Sequence, residues 1–503
     1  MSQRAQMTLL APILGMLGLA LLLVVGAVVV DGGVALLSQP DLWLSGLQGA
    51  AALDRVANAA EVVAGVLAIA ITVVAIVVEL AANRYTHRIT QLFVRERANQ
   101  VVLAFFVLTT IVCLWVSTAP LEQIANARVA PTMAMLMVTG CLLLLLPYLW
   151  FLFRFLAPRN IIARIAAQAL DAASAGLRQE MLEAIEELED MARGARQHHD
   201  RSIALASADA LADVMRGYRR LRETLPPSWF KIDGDLARDP DFVALAPSAV
   251  ADLEAQRIWL EAKILRQYLS LFEEGLGGEH DLGNLIALNT RSLAAEYASD
   301  GPELPDLAVR FFNSFLRIAL RAGDLRTAYY VCDQYRGMAE DALARGDREQ
   351  LHRIAVHLHA YGNFAYDLGM TFLLEVVAWD IATLIERAAE TLPDEVDPLL
   401  DRFLKVDREA EGGEHEERLH GVRRTQIQLA TFFLAADDET RARRIAQDMR
   451  DEDRPRLEAI RDALQAETRE QYWEATDRGI NFSYLPPRRR EQLSRFFELL
   501  DTP

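Results

Sequence analysis

Lysine is nearly absent from this chain: Lys231, Lys263 and Lys405 are the only ones among 52 basic residues. That usage suggests a GC-rich coding bias and a bacterial source. Cysteine is equally scarce, with Cys113 and Cys141 in apolar stretches and Cys332 in the second half. An odd, sparse set with no CxxC excludes a disulfide framework and a zinc knuckle, and small buried hydrophobes are the expectation. Missing too are GxxxxGK[ST], HExxH, GxSxG and a strand-borne GxGxxG, the common phosphate, zinc-protease and hydrolase signatures. No constellation places nucleophile, base and orienting group together, so neither an enzyme nor a cofactor is expected.

Positive charge is short overall, at a net -18. From Met1 to Asn160 nine Arg face seven Asp plus Glu, so the acidic excess lies wholly beyond, where the net charge is -20. A second half so acidic excludes phosphate neutralisation by clustered Lys and Arg, and with it nucleic-acid binding. It also discourages lying flat on an anionic leaflet.

What the chain has in quantity is apolar sequence, 52% of its residues. Thr8 to Val30 is a continuous apolar run, long enough for a ~30 Å hydrocarbon core and too long for the ~7–15-residue core of a cleaved signal peptide. It reads as an uncleaved signal-anchor. Asp31 to Ala60 reads as a periplasmic loop, with Trp43, Leu44 and Leu47 suited to the interface. Val62 to Ala82, Val101 to Ser117 and Thr132 to Leu156 supply the second, third and fourth spans, and Thr118 to Pro131 connects the last two. Between the second and third lies a basic elbow, Ala81 to Gln100, in which Arg84, Arg88, Arg95 and Arg97 face Glu96 alone. A short loop with that excess stays in the cytoplasm. The expected topology therefore has four crossings, both termini cytoplasmic, in a bacterial inner (plasma) membrane.

Two features of this region have double readings. Glu79 sits about one turn inside the cytoplasmic end of its span, and either pairs with Arg84 or serves permeation or proton movement. In the elbow, Ile89, Leu92 and Phe93 form one apolar stripe opposite the arginines. That stripe suits a helix at the headgroups or a shelf for the acidic domain.

From Ala157 onward only helical periodicity is visible. Ile161 to Met191 and Pro247 to Leu276 read as long amphipathic units, with a break at Pro226-Pro227 and Asp233-Gly234 between them. Ala308, Phe311, Phe312, Phe315, Leu316 and Ala319 fall at helical spacing on one buried face. Gly323-Asp324 and Gly346-Asp347, 23 residues apart, each pair a left-handed C-terminal Gly with an Asp N-cap. That spacing is one helix plus its turn, so stacked antiparallel helices resembling an α-solenoid are expected, without the period of a tetratricopeptide array. Asp407 to Glu417 reads as an exposed loop. Helices resume at Arg418 to Phe433, Thr440 to Met449 and Arg454 to Glu467, and Pro486-Pro487 precedes a last one carrying Phe496, Phe497 and Leu500.

Candidate ligand-binding residues are few. His352 and His359 share a helical face but stand two turns apart, too far for one ion, and His357 points elsewhere. Tyr329, Tyr330, Tyr335, Tyr361, Asn363, Tyr366 and Trp379 suit either core packing or a groove for a peptide or small ligand. Asn313, Arg326, Asp333 and Arg336 suit a buried polar network or a partner surface.

The stretch AANRYTHRITQLFVRERANQVVLAFFVLTTIVCLW resembles the membrane signature of the bacterial proteins grouped as domain of unknown function 2254. Phe311 to Glu340 and Asp477 to Phe497 resemble the cytoplasmic part of some members. The resemblance implies no assigned activity. An Asp-Pro-x-Thr-Ala type of segment found in other members is missing, which marks a divergent branch.

The resulting expectation is an all-α membrane protein. Residues 1–160 form four transmembrane helices with the elbow at 81–100, and residues 161–503 form a large cytoplasmic helical domain with a sub-boundary near 226–240. The expected role is a scaffold or sensor bound to the lipid bilayer and holding a protein partner. The alternative is a homo-oligomeric ion channel or transporter with a helical vestibule, for which Ala64, Ala68 and Thr72 provide a small-residue packing rhythm. Glu79, Arg84, Arg88, Arg95, Arg97, Asn313, Arg326, Asp333 and Arg336 are the candidate functional residues.

Overall fold

The computed structural model describes residues 50–84, 88–118, 129–234, 236–278, 280–406, 419–474 and 478–501, together with Leu22, Val25, Gly26 and Val29. Every regular element among them is helical, and the one β feature is an isolated bridge between Gln471 and Ile480. The chain divides into two units, Met1–Arg164 and Ile165–Pro503.

The first unit contains α1 (Ala50–Arg84), α2 (Arg88–Arg95), α3 (Arg97–Thr118) and α4 (Val129–Phe155), and the division falls within α5 (Pro158–Ser174). Three helices among the described residues, Leu53–Asn83, Arg97–Thr118 and Val129–Phe155, are long and apolar enough to cross a membrane. The sequence predicts four. Apart from the four residues named above, the first, Thr8 to Val30, lies outside the described residues, as do Trp43, Leu44, Leu47 and most of the connection between the last two spans. The second span is longer than expected, because the Ala-rich run from Ala50 to Ala60 favours helix and continues it. At 1.5 Å per residue α1 reaches about 52 Å, well past a ~30 Å hydrocarbon core.

Small residues bring α3 and α4 together. Ala130, Ala134, Val138 and Cys141 of α4 meet Leu108, Val112, Cys113 and Val116 of α3 in one buried cluster. This is how helices pack when lipid supplies no hydrophobic drive between them. The Cys141 thiol donates to Thr109 Oγ1 at 3.3 Å. Outward, Leu136, Leu143, Leu146 and Phe153 are each more than 60% exposed, as lipid-facing side chains should be. The elbow helix α2 turns its stripe inward: Ile89 and Phe93 are buried, and Phe93 meets the Phe155 ring edge-on at 5.8 Å. Those two residues of the stripe are thus covered within the unit; the side chain of Leu92 lies outside the described residues.

The second unit runs through α6 (Arg178–Gln197), α7 (Arg201–Leu221), α8 (Pro240–Val243), α9 (Pro247–Gln256), α10 (Trp259–Gly275), α11 (His280–Tyr297), α12 (Glu303–Arg321), α13 (Leu325–Arg345), α14 (Arg348–Asp367) and α15 (Thr371–Thr391). It ends with α16 (Val396–Phe403), α17 (His420–Ala435), α18 (Glu439–Asp448), α19 (Arg454–Ala466), α20 (Pro487–Arg490) and α21 (Leu493–Asp501). Two expected long helices are each split by a left-handed residue, Gly176 (φ 73°) before α6 and Arg257 (φ 58°) before α10. The expected loop Asp407 to Glu417 lies outside the described residues.

Alternate helices stack into two rows. In one row α7, α11, α13, α15 and α17 pack in succession, and α10, α12, α14 and α16 form the other. The rows are joined by hairpins whose turns repeat. Gly323, Gly346 and Gly369 stand at 23-residue intervals with φ of 71°, 74° and 81°. At each, the next backbone N–H closes on the helix: Asp324 on Ala319 O, Asp347 on Ala342 O and Met370 on Ala365 O. Asp324 and Asp347 then accept from Thr327 N and Gln350 N at 3.0 Å, as N-caps do. Met370 cannot cap, so the third joint was invisible as a Gly-Asp pair. Ala308, Phe312, Phe315, Leu316 and Ala319 of α12 are all buried, as their spacing predicts.

Charge is buried in this unit only with company. The side chain of Lys263 is 1% exposed and holds Asp239 at 2.7 Å, Asp241 at 3.0 Å and Glu186 at 3.3 Å, tying α8 and the residue before it to α6 and α10. Glu261 is the exception. At the third position of α10 it is fully buried, and neither carboxylate oxygen has a hydrogen-bond partner. Burial pushes its pKa up to about 7, against a partial pull from the Arg222 charge. A folded-state pKa raised from 4.5 contributes stability that is complete below about pH 4.5 and is lost as pH rises through about 7. Glu261→Gln should therefore raise the unfolding temperature of the full chain by a few degrees at pH 8, about 3 kcal/mol, and change it little at pH 5. Thermal melts of both proteins across this range would show it.

Candidate functional site

Along α15 the apolar run Val376, Val377, Ala378 is interrupted by Asp380, whose side chain has no exposed surface. A carboxylate taken out of water needs a cation and hydrogen bonds. Both come from Arg478, which donates from Nη1 to Oδ1 at 2.7 Å and from Nη2 to Oδ2 at 3.3 Å. Arg478 Nη2 also donates to the Tyr329 carbonyl at 2.7 Å, and the guanidinium lies 4.3 Å from the centre of the Tyr329 ring. From α13, Arg336 brings Nε to 3.2 Å from Asp380 Oδ1, donates to Asp333 Oδ1 at 2.8 Å and pairs with Glu340. Burial pushes the Asp380 carboxyl up, against the pull of Arg478 and Arg336. Burial works against the charge on Arg478 too, but Asp380 and Asp333 outweigh it and raise its pKa. Cys332 lies fully buried beside this network, and burial pushes its thiol far up, into the range of an inert cysteine.

Arg478 belongs to a largely non-helical strap, described over residues 467–474 and 478–486, that crosses α13, α15 and α17. Ile480 forms the bridge with Gln471, and Asn481 Nδ2 donates to the Arg469 carbonyl at 2.8 Å. Phe482 sets its ring edge-on to Trp379 at 5.2 Å and to Phe372 at 6.1 Å. From α17, Gln428 Nε2 donates to the carbonyls of Phe482 at 3.0 Å and Tyr484 at 3.1 Å. Beyond the strap, Arg489 makes a two-pronged pair with Glu386 at 2.7 and 2.8 Å. Two cavities border the strap. One, of about 510 Å³, includes Trp379, Glu386, Gln428 and Arg489. The other, of about 490 Å³, includes Tyr329, Glu375, Arg424 and Trp473. At its rim Tyr472 and Trp473 stack at 4.9 Å, and Trp473 is 69% exposed.

Of the candidate residues, the structure brings Asp333 and Arg336 together in this network. Asn313 stands apart on α12, where its Oδ1 accepts from Tyr335 Oη at 3.0 Å within the core. Arg326 is exposed, two turns before Asp333. The aromatic residues divide: Tyr335 stacks on Phe312 in the core, and Tyr329 and Trp379 line the strap's path. His352 pairs with Glu395 at 2.5 Å, and His359 Nε2 is 3.1 Å from the Lys405 carbonyl. In the first unit Glu79 and Arg97 are exposed; the side chains of Arg84, Arg88 and Arg95 lie outside the described residues.

Sequence reasoning missed Arg478 and Asp380, which are 98 residues apart. The available signal was Asp380 itself, a lone carboxylate within an apolar helical run.

Residues 6–215 match the family described as Predicted membrane protein (DUF2254), so the resemblance seen in the elbow and its flanking spans holds over that part of the chain. The strap and the helices beneath it lie beyond the match. No curated protein matches the chain. Among solved structures, a "Circular tandem repeat protein with novel repeat topology and enhanced subunit contact surfaces" aligns at 14% identity over 91% of this chain and 98% of its own, with a TM-score of 0.32.

Removing Arg478 strands a buried carboxylate. Arg478→Ala should cost about 3–5 kcal/mol in denaturant unfolding and expose residues 467–486 to protease. The double change Arg478→Met with Asp380→Leu, which removes both charges, should recover most of that loss.

Proposed function

We propose, for a chain whose residues 6–215 are of the DUF2254 type, a membrane-anchored helical scaffold whose second unit binds a non-helical segment of a protein partner. The membrane is a bacterial inner membrane, with both termini cytoplasmic, because Arg84, Arg88, Arg95 and Arg97 in the elbow and Arg154 and Arg159 after the last span follow the positive-inside rule. One observation carries the reading. The row α13, α15, α17 offers a carboxylate pocket for an arginine, an aromatic slot for a phenylalanine and, in Gln428, an amide that takes two main-chain carbonyls. Those are the parts of a peptide-recognition surface, with side-chain pockets for specificity and main-chain bonds for affinity. The chain's own strap occupies it, so a partner of like sequence would compete with the strap.

The channel or transporter reading gains nothing from the first unit. Thr72, Thr109, Thr110 and Thr139 each donate to a carbonyl one turn back in their own helix, at 2.8–2.9 Å. Hydroxyls whose protons are taken up in this way give no sign of an aqueous path.

A fluorescent peptide of residues 477–487 tests the scaffold reading. It should bind the full-length Phe482→Ala variant, whose strap is loosened, with a Kd in the micromolar range, and bind the unaltered chain at least about tenfold more weakly. Equal weak binding to both would remove the basis for a displaceable strap.

A further inference from the structure

The first unit holds a cavity that the scaffold reading leaves unused. It follows α1 from Leu67 to Asn83, about 24 Å at 1.5 Å per residue. Its volume is about 520 Å³, within the range of small-molecule sites. Val74 and Val78 of α1, Phe93 of α2, Leu103 and Phe106 of α3 and Leu145 of α4 make it apolar for most of its length. One end differs. There Glu79, Asn83 and Thr90 line it together with Asn99 and Tyr148. Asn99 and Tyr148 are satisfied, since Tyr148 Oη donates to Asn99 Oδ1 at 2.5 Å and Asn99 Nδ2 donates to the Phe93 carbonyl at 3.3 Å. Glu79 has no hydrogen bond or ion pair among the described residues. A carboxylate at membrane depth is costly without a cation, so this end of the cavity calls for one.

The elbow that contributes to this end is basic in sequence. The elbow helix, which contributes Thr90, Phe93 and Val94 to the lining, begins at Arg88 and ends at Arg95, and Arg97 opens α3. A single cation would answer Glu79 and be repelled by the elbow; an anion would do the reverse. A headgroup with a phosphate and a primary ammonium answers both. A quaternary ammonium, with no N–H, could not donate to the carboxylate. We infer that this cavity binds a zwitterionic aminophospholipid, one acyl chain along α1, the ammonium at Glu79 and the phosphate at the elbow.

Native mass spectrometry of the delipidated full-length protein tests this, with phosphatidylethanolamine, phosphatidylcholine and phosphatidylglycerol of identical acyl chains added in turn. Phosphatidylethanolamine should be retained about tenfold over the other two, the effect of one charge-assisted contact. Glu79→Gln should abolish that preference, Glu79→Asp should keep part of it, and Val74→Trp, which fills the apolar end, should lower retention of all three. Equal retention of the three headgroups, or a preference unchanged in Glu79→Gln, would overturn the inference. So would two results that give the cavity another occupant: a lipid-free dimer mass, or disulfide crosslinking in membranes between Val78→Cys and a cysteine placed in Thr8 to Val30.

Discussion

A carboxylate that stays ionised with no exposed surface needs a cation within reach, and the structure around Asp380 is arranged to meet that requirement. The acid sits on a central helix of one row, and the neighbouring helix α13 supplies Tyr329, Asp333 and Arg336. Its principal counter-ion arrives from a segment 98 residues further along the chain. Neutralisation therefore fixes the strap in place, and the strap in turn closes the faces of α13, α15 and α17. A hydrophobic pair at the same position could pack equally well but would not specify so closely which segment belongs there. The Lys263 cluster applies the same rule elsewhere, joining α8 and the residue before it to α6 and α10 through three carboxylates.

The first unit obeys the rule under another solvent. There the outside is apolar, the helices meet through alanine and cysteine, and threonine hydroxyls return to their own backbone. Glu79 is the residue this pattern does not absorb. In a unit whose threonine hydroxyls return to their own helices and whose Tyr148 and Asn99 satisfy each other, an ionisable side chain left on the wall of a cavity is best explained by what enters the cavity.

How much of this was legible in the sequence depended on the range of the interaction. Helices in both units follow from 3.6-residue periodicity and apolar length, and the joints at Gly323 and Gly346 were readable because glycine and aspartate do separate jobs at adjacent positions. The third joint, at Gly369, kept the left-handed turn and lost the cap, so half of its signal was gone. Two long helices were overestimated because a break needs only one residue with positive φ, and at Arg257 that residue is not glycine. Asp333 and Arg336 were picked out by type and spacing on one helix. Arg478 and Gln428 were not, because what makes them matter is a neighbour brought in by tertiary folding.

That same range bears on how the strap behaves. Its contacts close loops far longer than the 23-residue step of the helical joints: Arg478 reaches Tyr329 across 149 residues and Gln428 reaches Phe482 across 54. Such contacts bring no benefit until the helices that carry them have stacked, so the surface on which the strap lies is made by the rows. A segment held to such a surface by a buried ion pair, an aromatic slot, the Gln428 amide and the Arg424–Ser483 bond can open locally without unstacking the helices beneath. The chemistry that makes the strap specific to its site is thus the chemistry that a competing segment would have to reproduce.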